Sequence, residues 1–124
     1  MPPRPGGTLG YRGADLVIDW EEGAPRRPAL NMVERSVRIG GPVDGLPGRL
    51  GRWLEQQALA LAAQDLAFYA PRAGVPVPAI RLSRAKTRWG SCSGKKVVRI
   101  NWRLVQAPDH VRRSVVAHEV AHLV

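Results

Sequence analysis

Apolar residues recur at helical spacing between residues 47 and 70. Most of them are three, four or seven positions apart, which places them on one face of a helix. They are Leu50, Trp53, Leu54, Leu61 and Leu66. Asp44 and Pro47 are typical of a helix start. Pro71 and Gly74 end the pattern. We therefore predict one long amphipathic helix that packs on the core.

Shorter apolar stretches predict strands on both sides of this helix. Residues 16–18 and Ser36–Ile39 are candidate short strands that could pair with each other. Residues 79–104 alternate between apolar and polar positions around a polar stretch. The Ser-Gly-Lys sequence at 93–95 is a natural turn. This segment is therefore predicted to form a hairpin.

A second helix is predicted from Pro108 and Asp109 to Val124. Its apolar residues fall on more than one face, and no Lys or Arg follows Ser114. They are Val111, Val115, Val116, Val120, Leu123 and Val124. A helix of this kind is expected to be buried nearly all round.

The composition changes along the chain. Residues 1–14 are rich in Pro, Gly and Arg, which favours a loose attachment. We therefore predict a flexible or loosely packed N-terminal segment over residues 1–30 and a folded domain over residues 31–124. A chain of 124 residues suffices for one modest core.

The net charge is +9, carried by 16 Arg and 3 Lys. Such a surface could attract nucleic acid, but a bias in favour of Arg, with the charges scattered over solvated faces, is the explanation we prefer. No apolar run has the roughly 20 residues that a membrane span needs, and the N-terminus lacks the apolar core of a signal peptide. Cys92 is the single cysteine. These features predict a cytoplasmic protein that does not associate with a membrane.

The second predicted helix contains His118, Glu119 and His122. Residues four apart lie on one helical face, so the two imidazoles can converge on one metal ion. Glu119 is rotated by about 100° from His118 and can reach a metal-bound water without being a ligand. Zinc lowers the pKa of such a water to about 7, and a carboxylate can take its proton as the water attacks a peptide carbonyl.

Other interpretations of these residues remain open. The two histidines could be core residues whose ring nitrogens bond to carbonyl groups, although their spacing around a Glu favours the metal site. His110 is about 12 Å along the helix from His118, too far to share an ion, and is expected on the surface. Cys92 could be a soft metal ligand, but a small buried thiol is the interpretation we favour.

Three blocks together resemble one known family. They are Thr-Arg-Trp-Gly-Ser-Cys-Ser at 87–93, Ile-Asn-Trp-Arg-Leu at 100–104 and His-Glu-Val-Ala-His-Leu at 118–123. In order and spacing they resemble the YgjP-like zinc metallopeptidases, relatives of the SprT-like peptidases in the gluzincin-like group. The resemblance covers about residues 45–124. It implies a minimal zincin-like α+β fold with a long supporting helix, a small antiparallel sheet and a C-terminal active-site helix.

The resemblance also implies how the site works. His118 and His122 would bind one Zn²⁺, Glu119 would be the general base, and a peptide or protein substrate would lie as an added strand along the sheet edge. Residues 88–93 would shape the sheet beside the cleft. In the family a third ligand, usually His, follows a few residues beyond the motif, so residues 31–124 are expected to be a metallopeptidase domain incomplete at its C-terminal end, with the third ligand outside this chain.

A second hypothesis is a non-catalytic or truncated member of the family. Such a protein would bind nucleic acid or another protein through its basic surface, and changing His118 would have no effect on that binding. Nucleic acid is the more weakly supported partner, because no nucleic-acid-binding motif accompanies the charge. The sequence predicts neither the cleavage specificity nor the oligomeric state.

Overall fold

The computed structural model describes residues 2–84, 88–92 and 97–124, and for Cys92 the backbone alone. Within these residues the fold is α+β, with two small mixed sheets and two α-helices. The elements in chain order are β1 (Thr8–Tyr11), β2 (Ala14–Trp20), β3 (Ala29–Asn31), β4 (Ser36–Ile39), α1 (Leu46–Arg72), β5 (Ala79–Ser83), β6 (Gly90–Cys92), β7 (Val97–Asn101) and α2 (Asp109–Ala121). Neither α1 nor α2 has the length and apolar character needed to cross a membrane.

The first sheet has the strand order β1-β2-β4-β3. β1 is antiparallel to β2, and β3 is antiparallel to β4. The predicted strands at 16–18 and Ser36–Ile39 do pair, in parallel, as the two central strands. Alternate residues of these two strands face the core, because side chains alternate between the two faces of a strand. The buried ones are Leu16, Ile18, Val37 and Ile39.

The N-terminal residues are packed more firmly than predicted. Leu9 and Tyr11 of β1 are buried. The Tyr11 ring stacks on Trp53 of α1 with centroids 5.1 Å apart, and its hydroxyl donates to Gln57 Oε1 at 2.9 Å. The prediction of a loosely packed segment was therefore wrong for β1 and β2. β1 has only four residues, so its alternation of buried and exposed positions is too short to recognise within a Pro- and Gly-rich segment. The division of the chain at residue 30 stays a prediction.

Helix α1 connects two hydrophobic cores. Its predicted apolar face is confirmed, since all five residues of that face are buried. The N-terminal half packs with the first sheet, and the C-terminal half packs with β7 and α2 through Ala62 and Leu66. Pro71 lies in the last turn, and the chain leaves the helix after Arg72. α1 is thus the element on which both the sheets and α2 are assembled.

The second sheet differs from the predicted hairpin. Its order is β5-β7-β6, with β5 parallel to β7 and β6 antiparallel to β7. The predictions of a hairpin over 79–104 and of a small antiparallel sheet were therefore wrong. A parallel pair of strands needs a crossover connection. The residues of β6 belong to the connection between β5 and β7. The short Gly-Ser-Cys sequence of β6 has no alternation that would reveal it. The predicted turn at 93–95 lies outside the described residues.

Helix α2 is shorter and more exposed on one side than predicted. It ends at Ala121, where His122 N–H bonds to Glu119 C=O at 3.2 Å, and does not continue to Val124. Val116 and Val120 are buried against α1 and β7, whereas His118 and His122 are exposed. The expectation of burial nearly all round was wrong. The apolar residues Val116 and Val120 lie on the side of α2 that faces the core. The side that carries His118 and His122 is open to solvent.

Candidate active site

Helix α2 brings the three predicted residues together. His118 and His122 are one turn apart, and their Nε2 atoms lie 3.1 Å from each other with the rings at 89°. One ligand atom from each of His118, Glu119 and His122 can be chosen so that all three lie within 4.8 Å of one another. Among the described residues, no further His, Cys, Asp or Glu joins this group.

The geometry of this group fits a metal ion. Two nitrogens bound to one zinc at about 2.0–2.1 Å with tetrahedral angles lie about 3.4 Å apart. The observed 3.1 Å between the two Nε2 atoms is close to that value. Both histidines are exposed, so neither is a core histidine of the kind considered above. His118 and His122 are therefore the residues that could hold the ion.

Glu119 is placed differently from the two histidines. It is 5% exposed, and its Oε2 atom is buried without a hydrogen-bond partner in the described part of the chain. An unpaired buried carboxylate oxygen is costly, so a partner from outside the described residues is expected to satisfy it. A metal ion, a water molecule or a substrate proton would satisfy this oxygen.

Gly90 of β6 allows Glu119 to sit where it does. A Cβ on Gly90 would come 2.8 Å from Val115 Cγ1, 3.1 Å from Glu119 Cγ and 3.4 Å from the Arg99 carbonyl oxygen. A larger residue would have to displace these neighbours, so β6 and α2 are in direct contact at the level of the motif. Glycine inside a strand commonly marks such an approach. This is the signal by which the sequence could have identified Gly90.

We expect Gly90→Ala to destabilise the protein by about 1–3 kcal/mol, because overfilling a packed contact forces its neighbours to move. The displaced neighbours are Val115 and Glu119, so the arrangement of the predicted site should change as well. Urea unfolding measures the change in stability. Gly51→Ala is the matched control, since a Cβ there meets nothing within 4 Å inside α1. It should raise stability by about 0.5–1 kcal/mol. Equal changes in stability for Gly90→Ala and Gly51→Ala would contradict a close contact between Gly90 and α2.

A cleft of ≈ 380 Å³ opens beside the motif. It is lined by Trp89 and Gly90 from the sheet edge and by Ser114, Val115, His118 and Glu119 from α2. Trp89 is 56% exposed, which is unusual for so large an apolar side chain. The cleft therefore combines the catalytic candidates with an apolar wall. The family resemblance implied that residues 88–93 lie beside the cleft, but the sequence analysis did not single out Trp89, Ser114 or Val115.

Charged contacts fix α2 in place at its N-terminal end. Arg112 is 2% exposed and donates through Nε to Asp65 Oδ2 of α1 at 2.6 Å. It also donates to Asp109 Oδ1 at 2.9 Å. Arg12, in the turn between β1 and β2, forms two hydrogen bonds to Asp109. The two bonds from Arg12 hold the pKa of the Asp109 carboxyl far below its usual range, and the bond from Arg112 lowers it further. α2 is thereby tied to both α1 and the first sheet.

The two remaining candidates are His110 and Cys92. His110 is exposed in the first turn of α2, as predicted. Cys92 belongs to β6, and its side chain lies outside what the structure describes, so its role as a ligand or a buried thiol stays a prediction.

The class of protein follows from these features. A helix presenting two histidines four residues apart, with a buried Glu between them, next to a sheet edge, is typical of HExxH metallohydrolases. The family model of the YgjP-like metallopeptidase domain matches residues 2–124, and the chain belongs to this family. No curated protein and no solved structure matches the chain.

Proposed function

We propose that this protein is a zinc-dependent peptidase that hydrolyses peptide bonds at the cleft beside α2. The observation that carries the proposal is the convergence of His118, Glu119 and His122, whose ligand atoms come within 4.8 Å of one another on the open side of a helix. Membership of a metallopeptidase family supports it independently.

The histidines have the role of metal ligands in this proposal. Imidazole suits zinc, and two neutral ligands leave most of the ion's positive charge in place. Zinc, when bound, supplies Lewis-acid activation of water and of the peptide carbonyl. The open side of α2 at His118 and His122 leaves room for a ligand from outside the described residues.

Glu119 is the proposed general base. Its side chain packs against Gly90 of β6, and its unpartnered Oε2 is available to accept the proton of the attacking water. A base must lie within hydrogen-bond reach of the proton that it takes, and Glu119 belongs to the same cluster as the histidines. Gly90 lies against the Glu119 side chain, which is 5% exposed, so its contact with bulk water is limited.

Strand β6 is the proposed binding edge for the substrate. It is the outer strand of its sheet, and the Asn101 N–H bonds to the Trp89 carbonyl at 2.8 Å. Gly90 is the next residue in register and pairs with Ile100. Because bonded and non-bonded pairs alternate in an antiparallel ladder, the N–H and C=O of Gly90 point away from β7. An extended peptide could bond to them as an added strand.

The cleft adds a contact for a substrate side chain. Trp89 and Val115 form an apolar wall next to His118. An apolar residue of the peptide would bury its side chain against Trp89, and each buried methylene contributes about 0.8 kcal/mol. We therefore propose a preference for apolar residues beside the scissile bond.

Metal removal tests the proposed function. The purified protein should cleave an unfolded polypeptide, with the products identified by mass spectrometry. Dialysis against a chelator should abolish the cleavage, and one equivalent of zinc should restore it. A His118→Ala variant carried through the same preparation is the control for a contaminating peptidase. Cleavage that survives metal removal, or that is equal in the variant, would contradict the proposal.

A further inference from the structure

A second pocket, distinct from the cleft at α2, is lined by arginines. It has a volume of ≈ 410 Å³ and lies between the start of α1 and the segment joining β2 to β3. Its lining includes Arg26, Arg27, Arg49, Arg52, Trp53 and Gln56, and no Asp or Glu. None of these residues lines the cleft beside His118. We propose that this pocket binds a ligand with adjacent phosphate groups.

Within the described residues, no carboxylate neutralises the arginines of this pocket. Arg12, Arg38 and Arg84 each form an ion pair with a carboxylate. Over residues 2–84, 88–92 and 97–124, no ion pair involves any of the four pocket arginines. Like charges repel when they are brought together, so a cluster without a counter-charge favours an anion from outside.

Arg49 is held in a fixed position within this cluster. Its Nη2 donates to the carbonyls of Gly40 and Pro42, each at 2.7 Å. Its Nε is buried and has no partner among the described residues, which leaves one donor unused. An arginine oriented in advance by main-chain oxygens loses little side-chain entropy when an anion binds.

Gly41 brings two of the arginines side by side. A Cβ there would lie 2.9 Å from Arg26 Cγ and 3.0 Å from Arg49 Cζ, and Gly41 has φ +82°. The backbone conformation favours glycine. The side chains of Arg26 and Arg49 therefore lie close together beside Gly41 despite their equal charges.

Phosphate is the anion that fits this chemistry. The planar guanidinium group forms paired hydrogen bonds with phosphate oxygens. Arg49 lies at the end of the first turn of α1, where the helix dipole also favours negative charge. Four cations exceed the charge of a single phosphate, so we infer at least two neighbouring phosphates. Free oligophosphate and the backbone of a nucleic-acid strand both present that arrangement.

Isothermal titration of the whole chain with inorganic pyrophosphate tests the proposal. The double variant Arg26→Gln/Arg52→Gln should bind about tenfold or more weakly than the wild type. The matched control is Arg81→Gln/Arg103→Gln, which removes the same charge from exposed positions outside the pocket. It should change the affinity less than about twofold. His118→Ala should bind pyrophosphate unchanged, which separates the pocket from the proposed metal site.

The source of the phosphates is distinguished by a second titration. A short single-stranded oligonucleotide is titrated in the same way. If it displaces pyrophosphate, and if its affinity falls for Arg26→Gln/Arg52→Gln but not for the control double variant, the ligand is a nucleic-acid backbone. Pyrophosphate binding without oligonucleotide binding identifies a free oligophosphate. Absence of pyrophosphate binding by the wild type, or equal losses in the two double variants, would overturn the proposal. Circular dichroism and melting temperature confirm that each variant is folded.

Discussion

Glu119→Gln is expected to lower the rate of peptide hydrolysis by about 10²–10⁴-fold, the usual contribution of a general base. The amide has the shape of the carboxylate but cannot accept the proton of the attacking water. Because Glu119 is not a ligand in this account, the variant should still bind zinc through His118 and His122. Rates per bound zinc, measured for both proteins, give the comparison.

The control for this experiment is Glu34→Gln, which makes the same chemical change at an exposed position on the β3–β4 turn. It should have the activity of the wild type. Two results would count against the assignment of Glu119. Undiminished activity would show that another group is the base, and loss of zinc together with activity would show that Glu119 is a ligand.

Arg112→Met is expected to lower the free energy of unfolding by about 3–5 kcal/mol, because it leaves the buried Asp65 carboxylate without its main partner. Arg112 and Asp65 are 2% and 6% exposed, so solvent cannot replace the lost bonds. Adding Asp65→Leu should recover part of the loss, since removing both charges eliminates the unpaired one. Urea denaturation gives the values for the two variants.

Arg113→Met is the matched control on the next residue of α2. The Arg113 side chain is 51% exposed, and its nearest carboxylate contacts are at 3.8 and 3.9 Å. Exposed pairs of this kind contribute about 0–1 kcal/mol. Losses of similar size in the two variants would show that burial of the Arg112–Asp65 pair does not determine the stability of this helix pair.

The sequence predicted the local features of this molecule well. The apolar face of α1 follows from its spacing, and the structure confirms it residue by residue. The cluster of His118, Glu119 and His122 also follows from spacing alone, because a helix places residues four apart on the same side. Such features depend on the geometry of a single helix, and residues close together in the sequence determine that geometry.

Features that depend on distant residues were missed. The parallel pairing of β5 with β7 depends on where the connection between them crosses, and the alternating pattern is the same for either direction. The exposure of His118 depends on which elements pack against α2. The valines around His118 led to the prediction of a buried helix, but this side of α2 is exposed. The buried partner of Arg112 lies 47 positions away in α1, where Asp65 appears from the sequence to be an ordinary helix-surface residue.

The N-terminal strands show a third limitation. β1 is four residues long and includes Gly10, so its two buried residues gave no recognisable period. Composition indicated disorder, whereas the pairing with β2 and the stacking of Tyr11 on Trp53 order the segment. Tertiary packing overrides local propensity where a short strand finds a partner.

Zinc binding to the purified chain, measured by competition with a chromophoric chelator, is the most direct test of the metal site on which the proposed function depends. The wild type should bind about one zinc ion per molecule, more weakly than a site with three protein ligands does, because only His118 and His122 of this chain are expected to be ligands. His118→Ala and His122→Ala should each weaken that binding, while His110→Ala, on the same helix but outside the cluster, should leave it unchanged. Two results would contradict the proposed metal site. One is a wild-type chain that takes up no zinc, and the other is a His110→Ala variant that loses as much zinc affinity as His118→Ala or His122→Ala.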